Sequence, residues 1–346
     1  MDGAIFLQQV VNGMSLGGMY ALIAIGYTMV YGVLRLINFA HADVMMVGAF
    51  STLFLFSSVG LPFGVAVFLT LGLCGLFGML IDRVAYRPLR QASKISMLIT
   101  AIGVSFFLEN LFNVLFGGSS RFFSAPDFFN QTRAFGSVII TNVAWIVPLI
   151  TVLLLLAILW LLYRTRYGMA IRAVAFDVNT VRLMGIDANR IISLVFALGS
   201  SLAALGGVFY SISYPTIDPL MGVLIGLKAF AAAVLGGIGS VTGAVLGGFI
   251  LGFTEVVAVA IFPELGGYKD AFAFLFLILV LLFRPVGIMG DERLERSRFL
   301  CSTRRRPPGR SCATWPLLSS VSRCWPESTW FSMTTLFVSS APFLSL

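Results

Sequence analysis

The chain has 346 residues, of which 58% are hydrophobic and only 11% charged, and its mean hydropathy is +0.97. A soluble domain carries about 25% charged residues and a smaller apolar share, so a water-soluble globular protein is excluded and a polytopic membrane protein is specified. The net charge of +8 is not a nucleic-acid footprint, because most Lys and Arg lie in short loops between apolar runs, where orientation in the bilayer accounts for them.

The amino terminus, 1–9, contains Asp2 but no Lys or Arg, so the first apolar run lacks the basic flank of a cleavable signal peptide and is expected to stay as a span. Span 1 is predicted at 10–33 and span 2 at 40–58, lengths near the roughly 20 residues a bilayer requires. Arg35 in the join places it inside, with His41 and Asp43 expected as polar caps at the cytoplasmic entrance of span 2. Span 3, 62–81, ends in the basic stretch 82–94, a second cytoplasmic loop. Span 4, 95–116, opens into a longer, Phe-rich outside loop, 117–141. Span 5 is placed at 142–163 and span 6 at 191–213, followed by an external turn carrying Pro215, Asp218 and Pro219. The apolar tract 222–262 is too long for one span and is broken by glycines at 236, 237, 239 and 243, which predicts a hairpin of two helices. The last span, 271–283, ends inside at Arg284. The fold class is therefore all-α: an integral membrane helical bundle of eight to nine segments occupying 1–290, with the amino terminus outside.

From about 291 the composition breaks. Cys301, Cys312 and Cys324 are three of the four cysteines, and Trp315, Trp325 and Trp330 three of the five tryptophans. No helical or strand period runs through 291–346, which reads as a disordered tail. The cysteines have neither disulfide-framework nor zinc spacing.

Between spans 5 and 6 lies the polar loop 164–190, with Arg164, Arg166, Arg172, Arg182 and Arg190. A bare connection between antiparallel helices takes about two to eight residues, so the extra length calls for a purpose. Ile171, Val174, Val178, Val181 and Ile186 recur at helical spacing while Arg172, Asp177 and Arg182 fall largely elsewhere on the wheel. That pattern predicts a short amphipathic helix at the cytoplasmic face offering an apolar side to a partner.

No catalytic constellation exists: His41 is the only histidine, which removes histidine triads and histidine-rich metal sites. The run 237–243 lacks the Lys-Ser/Thr ending of a phosphate loop. No catalytic, cofactor-binding or metal residues are therefore assigned. Glycines serve packing instead: Gly13 with Gly17, Gly222 with Gly226, and the series Gly239, Gly243, Gly247 put small residues on one helical face so that backbones approach in the membrane. Glu109, Lys228 and Glu255 are ionisable residues inside spans, where charge is costly. Glu109 and Lys228 have matching predicted depths, which makes each the candidate partner of the other; the alternatives are that Glu109 bonds a neighbouring polar group such as Asn113 and that Lys228 reaches to the outer interface.

Several stretches together resemble a known family: 12–32, Ile37-Asn-Phe-Ala-His41, 173–186 and 222–239. The chain is similar, over about 5–290, to the permease subunits, H-type, of the ATP-driven (ABC) importers for branched-chain amino acids. The resemblance implies a permease that is not an enzyme and binds no cofactor itself, set in the bacterial inner membrane. Its implied partners are a second homologous permease, two ATP-binding subunits that use the ATP, a periplasmic or external substrate-binding protein, the amino-acid substrate and membrane lipid, with no nucleic acid. It also implies that Arg172, Ala173, Ala175, Asp177, Arg182 and Gly185 belong to the loop that couples the spans to an ATPase. Related permeases carry urea, amides and other amino acids, and an ion-driven secondary transporter is the rival class, which predicts inverted repeats and more buried charge. The tail departs from the family, whose members end soon after the Phe283-Arg-Pro-Val-Gly287 segment. Truncation after Gly290 is expected to leave membrane insertion and transport unchanged; loss of insertion or of complex assembly in the truncated chain would make the tail structural.

Overall fold

The structure, a computed structural model, describes residues 3–90, 92–135, 138–284 and 286–290; the predicted tail, 291–346, lies outside the described residues. Its helices are α1 (Gly3–Leu34), α2 (Ala40–Leu53, continued by a wider π-helical turn to Ser58), α3 (Phe63–Ile81, likewise continued to Tyr86), α4 (Lys94–Phe116), the single turn α5 (Asp127–Asn130), α6 (Asn142–Arg164), α7 (Arg166–Phe176), α8 (Val178–Leu183), α9 (Ala188–Ser213), α10 (Met221–Gly236), α11 (Val241–Ile261) and α12 (Lys269–Phe283). Eight of these helical stretches are long and apolar enough to cross a membrane. At 16 residues, α10 spans only about 24 Å at 1.5 Å per residue, short of a bilayer core of about 30 Å. It follows a turn at 218–220, and Gly222 at its start packs on Ala42 and Asp43 of α2. The tract 222–262 is thus a two-helix hairpin.

The loop 117–141, expected on the outside, is partly ordered into strands. β1 (Arg121–Phe122) pairs antiparallel with β4 (Thr216–Ile217), and β2 (Thr132–Phe135) with β3 (Val138–Thr141). The Gln8 side chain accepts from the Ile139 backbone N–H at 3.0 Å, tying this cap to the start of α1.

Helix α1 is the axis of the bundle. It is apolar all round, as a helix surrounded by others should be, and Tyr20 to Ile25 are almost wholly buried. Its closest neighbour is α11, running antiparallel. A Cβ added at Gly17 would sit 2.7 Å from the Phe249 Cα, one at Gly13 would sit 3.0 Å from the Phe253 Cα, and one at Gly248 would meet Ala21. Backbone lies against backbone because lipid tails are as apolar as leucine: without a hydrophobic drive between helices, close van der Waals contact has to supply the association. α11 presents a second glycine face to α10, where Gly243 meets the Gly236 carbonyl and Gly247 that of Ala232. Gly239 does not take part. It lies in the 237–240 turn at φ +100° with open space around it, so its role is backbone conformation and not helix packing. Gly222 and Gly226 lie against Ala42 on α2.

His41 and Asp43 differ from expectation. Arg35 marks the basic end, donating to the Ala175 carbonyl at 2.9 Å, but the chain then turns back into the bundle and α2 begins there. His41 packs where a Gly26 side chain would be, its ring centroid 4.7 Å from that of Tyr27. Gly26 is eight residues before the end of α1, so α2 starts roughly 12 Å inside the bundle. Both residues are 1% exposed, and neither is an interfacial cap. Only glycine at 26 leaves the volume the imidazole fills.

Helices α4, α6 and α12 turn most of their apolar side chains outward, Phe106, Val114, Leu153, Trp160, Ile278 and Leu282 among them, as lipid-facing spans do. Replacing Gly17 by Val is expected to cost about 1–3 kcal/mol or more by overpacking the α1–α11 contact, measured as lost thermal stability of the purified protein in detergent. Gly72→Ala on α3, where an added Cβ meets nothing within 4 Å, is expected to be neutral or slightly stabilising.

Candidate functional site

Two places carry chemistry, one at each end of the bundle. At the basic end, the loop predicted as one amphipathic helix forms two. Thr165 caps α7, its hydroxyl accepting from the Gly168 N–H at 3.0 Å. Gly168 is packed on the carbonyls of Leu161 and Leu162, folding α7 back against the end of α6. The helix stops at Asp177, which is extended at φ −153° and bonds the Thr180 hydroxyl at 2.6 Å. An aspartate competes with the helix for hydrogen bonds and suits the start of the next helix better than the interior of one, which is why the apolar period continues through a break. Gly185 ends α8. The Ile186 N–H reaches the Val181 carbonyl and the Gly185 N–H that of Arg182, the paired bonds of a Schellman turn whose left-handed residue, here at φ +79°, is ordinarily glycine.

Of the predicted apolar face, Ile171, Val174 and Val181 are buried in the bundle. The outward surface is made by residues that periodicity did not single out: Phe176, Leu183 and Met184 are 80%, 89% and 74% exposed. Ala173 and Ala175 are partly buried and pack against the core. Arg172 lies over the Tyr163 ring, 5.1 Å from its centroid, and Arg182 is exposed. Behind this surface sits a buried polar node that the sequence reading missed. Arg90 bonds Asp82 at 2.5 Å and Asn189 at 2.5 Å, while Ser193 donates to the other Asp82 oxygen at 2.6 Å. This joins the end of α3 to the start of α9, one residue after the α9 cap Asp187.

At the opposite end the structure corrects the proposed Glu109 and Lys228 pair. Lys228 on α10 donates to Glu255 Oε1 on α11 at 2.7 Å, and its ammonium also lies 2.5 Å from Asp270 Oδ1 at the head of α12. Tyr20 of α1 donates to Glu255 Oε2 at 3.0 Å. Glu109 is on α4, one turn beyond Ser105, on the side of Asp43, whose carboxylate accepts the Ser105 hydroxyl at 2.5 Å. Matching depth was the only ground for the pair, and depth alone leaves the azimuth around the bundle open. Glu255, also named as an intramembrane charge, is the partner that the hairpin brings within reach.

Around this ion cluster the bundle opens outward. An open cavity of about 690 Å³ is bordered by the ends of α1, α6, α9 and α11 away from the basic end and by Lys269, with Asn12, Ser15, Ser213, Tyr214 and Glu255 in its wall. A smaller one of about 110 Å³ adjoins it, holds Lys228 and Asp270, and shares Leu16, Tyr214, Glu255 and Lys269 with the first. Among the described residues no group of three or more His, Cys, Asp or Glu side chains is arranged to hold a metal ion.

Comparison with known proteins gives a consistent set of relatives. The family profile described as branched-chain amino acid transport system, permease component, matches residues 9–281. A high-affinity branched-chain amino acid transport system permease protein of Pseudomonas aeruginosa, BraD, is 42% identical over 308 residues, covering 84% of this chain and 98% of its own. The permease protein LivH of Escherichia coli K12, of the same description, is 41% identical over 304 residues, covering 84% of this chain and 97% of its own. A probable LivH of Methanocaldococcus jannaschii is 26% identical over 301 residues, covering 82% and 92%.

Breaking the ion cluster is expected to separate it from Glu109. Lys228→Met leaves the buried Glu255 without its cation and should cost about 3–5 kcal/mol of stability. Adding Glu255→Gln is expected to restore much of that loss, whereas adding Glu109→Gln should be merely additive. Unfolding of the unaltered protein, Lys228→Met, Glu109→Gln and the two double variants in detergent, followed by thermal or denaturant melts, checks the pattern.

Proposed function

The chain belongs to the family of branched-chain amino acid transport permease components, and from that premise we propose how its geometry serves uptake. It is a multi-pass inner-membrane permease subunit of an amino-acid importer. Branched-chain amino acids, that is leucine, isoleucine and valine, are the substrates on this reading; the names of the relatives describe branched-chain amino acid transport for those proteins. The chain carries out no reaction itself; ATP is bound and hydrolysed by two partner subunits, a second homologous permease completes the membrane unit, and an external binding protein delivers the amino acid.

The observation that carries the coupling part of this reading is the exposed apolar cluster Phe176, Leu183 and Met184 at the basic end. These side chains are on a cytoplasmic loop, where lipid does not cover them, and an apolar surface there suits a groove on a protein partner. The surface is held from three directions. Arg35 grips the carboxyl end of α7 through the Ala175 carbonyl, the Schellman turn at Gly185 fixes the exit from α8, and the node of Asp82, Arg90, Asn189 and Ser193 ties the start of α9 to α3. A push on α7 and α8 by an ATPase therefore reaches α1, α3 and α9 through charge-assisted hydrogen bonds, which are short and directional. Asp177, Arg172 and Arg182 supply polar groups beside the apolar cluster.

The test is the complete transporter in proteoliposomes with its binding protein, scored for ATP-driven leucine uptake and for hydrolysis stimulated by the binding protein. Gly185→Val forces a β-branched residue into a left-handed conformation. It is expected to lower uptake at least tenfold while the permease still inserts into the membrane and assembles with its partners. Normal uptake and normal stimulated hydrolysis in this variant, and in Leu183→Asp, would remove the coupling role from the loop.

A further inference from the structure

We infer that the outer cavity is a binding site for the zwitterionic head group of the transported amino acid, with Lys269 receiving the α-carboxylate and Glu255 the α-ammonium. The inference rests on the reading of the chain as an amino-acid permease and adds the site and its chemistry.

The charges at the cavity are balanced and unequally occupied. Lys228 and Lys269 face Glu255 and Asp270 around the two adjoining spaces, so a zwitterion enters without adding net charge to a low-dielectric region. Lys228 is already committed to Glu255 and Asp270. Lys269 is exposed, and among the described residues its contact is the face of the Tyr214 ring, 6.0 Å from the ammonium to the centroid. A cation–π contact leaves the ammonium donors open, which makes Lys269 the group available to a carboxylate. Glu255 lines both spaces. Its carboxylate has about four acceptor positions, of which Lys228 and Tyr20 occupy two, so it can take a second cation on the cavity side. Ser213 stands at the same wall, its hydroxyl without a hydrogen-bond partner among the described residues.

The remaining wall suits the side chain. Leu16, Met19, Val143, Ile212 and Val256 line the same cavity, giving an apolar surface beside the polar groups. A few convergent polar groups set in an apolar lining is the usual make-up of a small-molecule site, and about 690 Å³ lies within the ordinary range of roughly 300–1,000 Å³. Its position also fits delivery from outside, because its walls are the outer ends of the spans.

The experiment titrates the complete transporter, in nanodiscs and without its binding protein, with L-leucine, with leucinamide, which lacks the carboxylate, and with 4-methylpentanoate, which lacks the ammonium. The unaltered complex is expected to bind leucine at least tenfold more tightly than either analogue. Lys269→Met should weaken leucine at least tenfold and leave leucinamide unchanged, and Lys269→Arg should retain binding. Glu255→Gln should abolish the preference for leucine over 4-methylpentanoate. Because Lys269 is exposed, its variants report on binding even if Glu255→Gln fails to fold. Leucine binding unchanged in Lys269→Met, or leucinamide binding as tightly as leucine to the unaltered complex, overturns the site while ATP-driven leucine uptake leaves the permease reading intact. Failure of the unaltered complex with its binding protein to take up leucine, isoleucine or valine overturns that reading, and the site with it.

Discussion

The rest of the bundle depends on the backbone contact between α1 and α11. Gly13, Gly17 and Ala21 on one helix meet Gly248, Phe249 and Phe253 on the other, and the approach is too close for any larger side chain at Gly17 or Gly248. Only because the two backbones touch can Tyr20 reach Glu255 at 3.0 Å. Glu255 in turn holds Lys228 of α10, and Lys228 touches Asp270 of α12. One glycine seam thus fixes the geometry of four helices and of the ion cluster beside the outer cavity. An ion pair buried to this depth contributes little net stability over a well-packed apolar substitute, since desolvation offsets most of the attraction. Its value lies in fixing which helices meet and in keeping a carboxylate at the wall of the cavity.

The basic end uses a different device. Its loop is held by polar contacts, from Arg35 to Ala175 and through Arg90, Asp82, Asn189 and Ser193, while its outward face is apolar. That inversion is unusual for a surface loop and follows from what the loop has to do on the reading proposed: bind a protein on one side and remain rigidly attached to the spans on the other. Between the two ends lies a third polar set, with Ser105 bonded to Asp43 and His41 set into the space at Gly26. Because α2 starts inside the bundle, its first turn is buried amid α1, α9 and α10.

The sequence alone determined the class, the span positions and the two-helix hairpin, and led to an expected orientation, and all of these follow from local quantities. Apolar length measures itself against the bilayer, and basic loops choose the side. The resemblance carried by 12–32, 37–41, 173–186 and 222–239 led to the family that the relatives share. Glycine spacing announced close packing on α1 and α11 without saying which face met which neighbour: Gly248 and Gly252 belong to the α1 seam, Gly243 and Gly247 to α10, and Gly239 to a turn.

What only the tertiary structure decided is azimuth and re-entry. Depth along a span is legible because each residue adds 1.5 Å, but rotation of one helix about another is set by contacts distant in sequence. Hence Lys228 found Glu255 instead of Glu109, at equal plausibility of depth. The inward return of the chain at 36–39, which buried His41 and Asp43, was equally hidden, since a polar residue near an apolar boundary reads as interfacial until the neighbouring glycine that makes room for it is placed. The same holds for the exposed face of the loop: an apolar period shows that a helix has a buried side, and only the packed bundle determines that Ile171 and Val174 take it, leaving Phe176, Leu183 and Met184 outside.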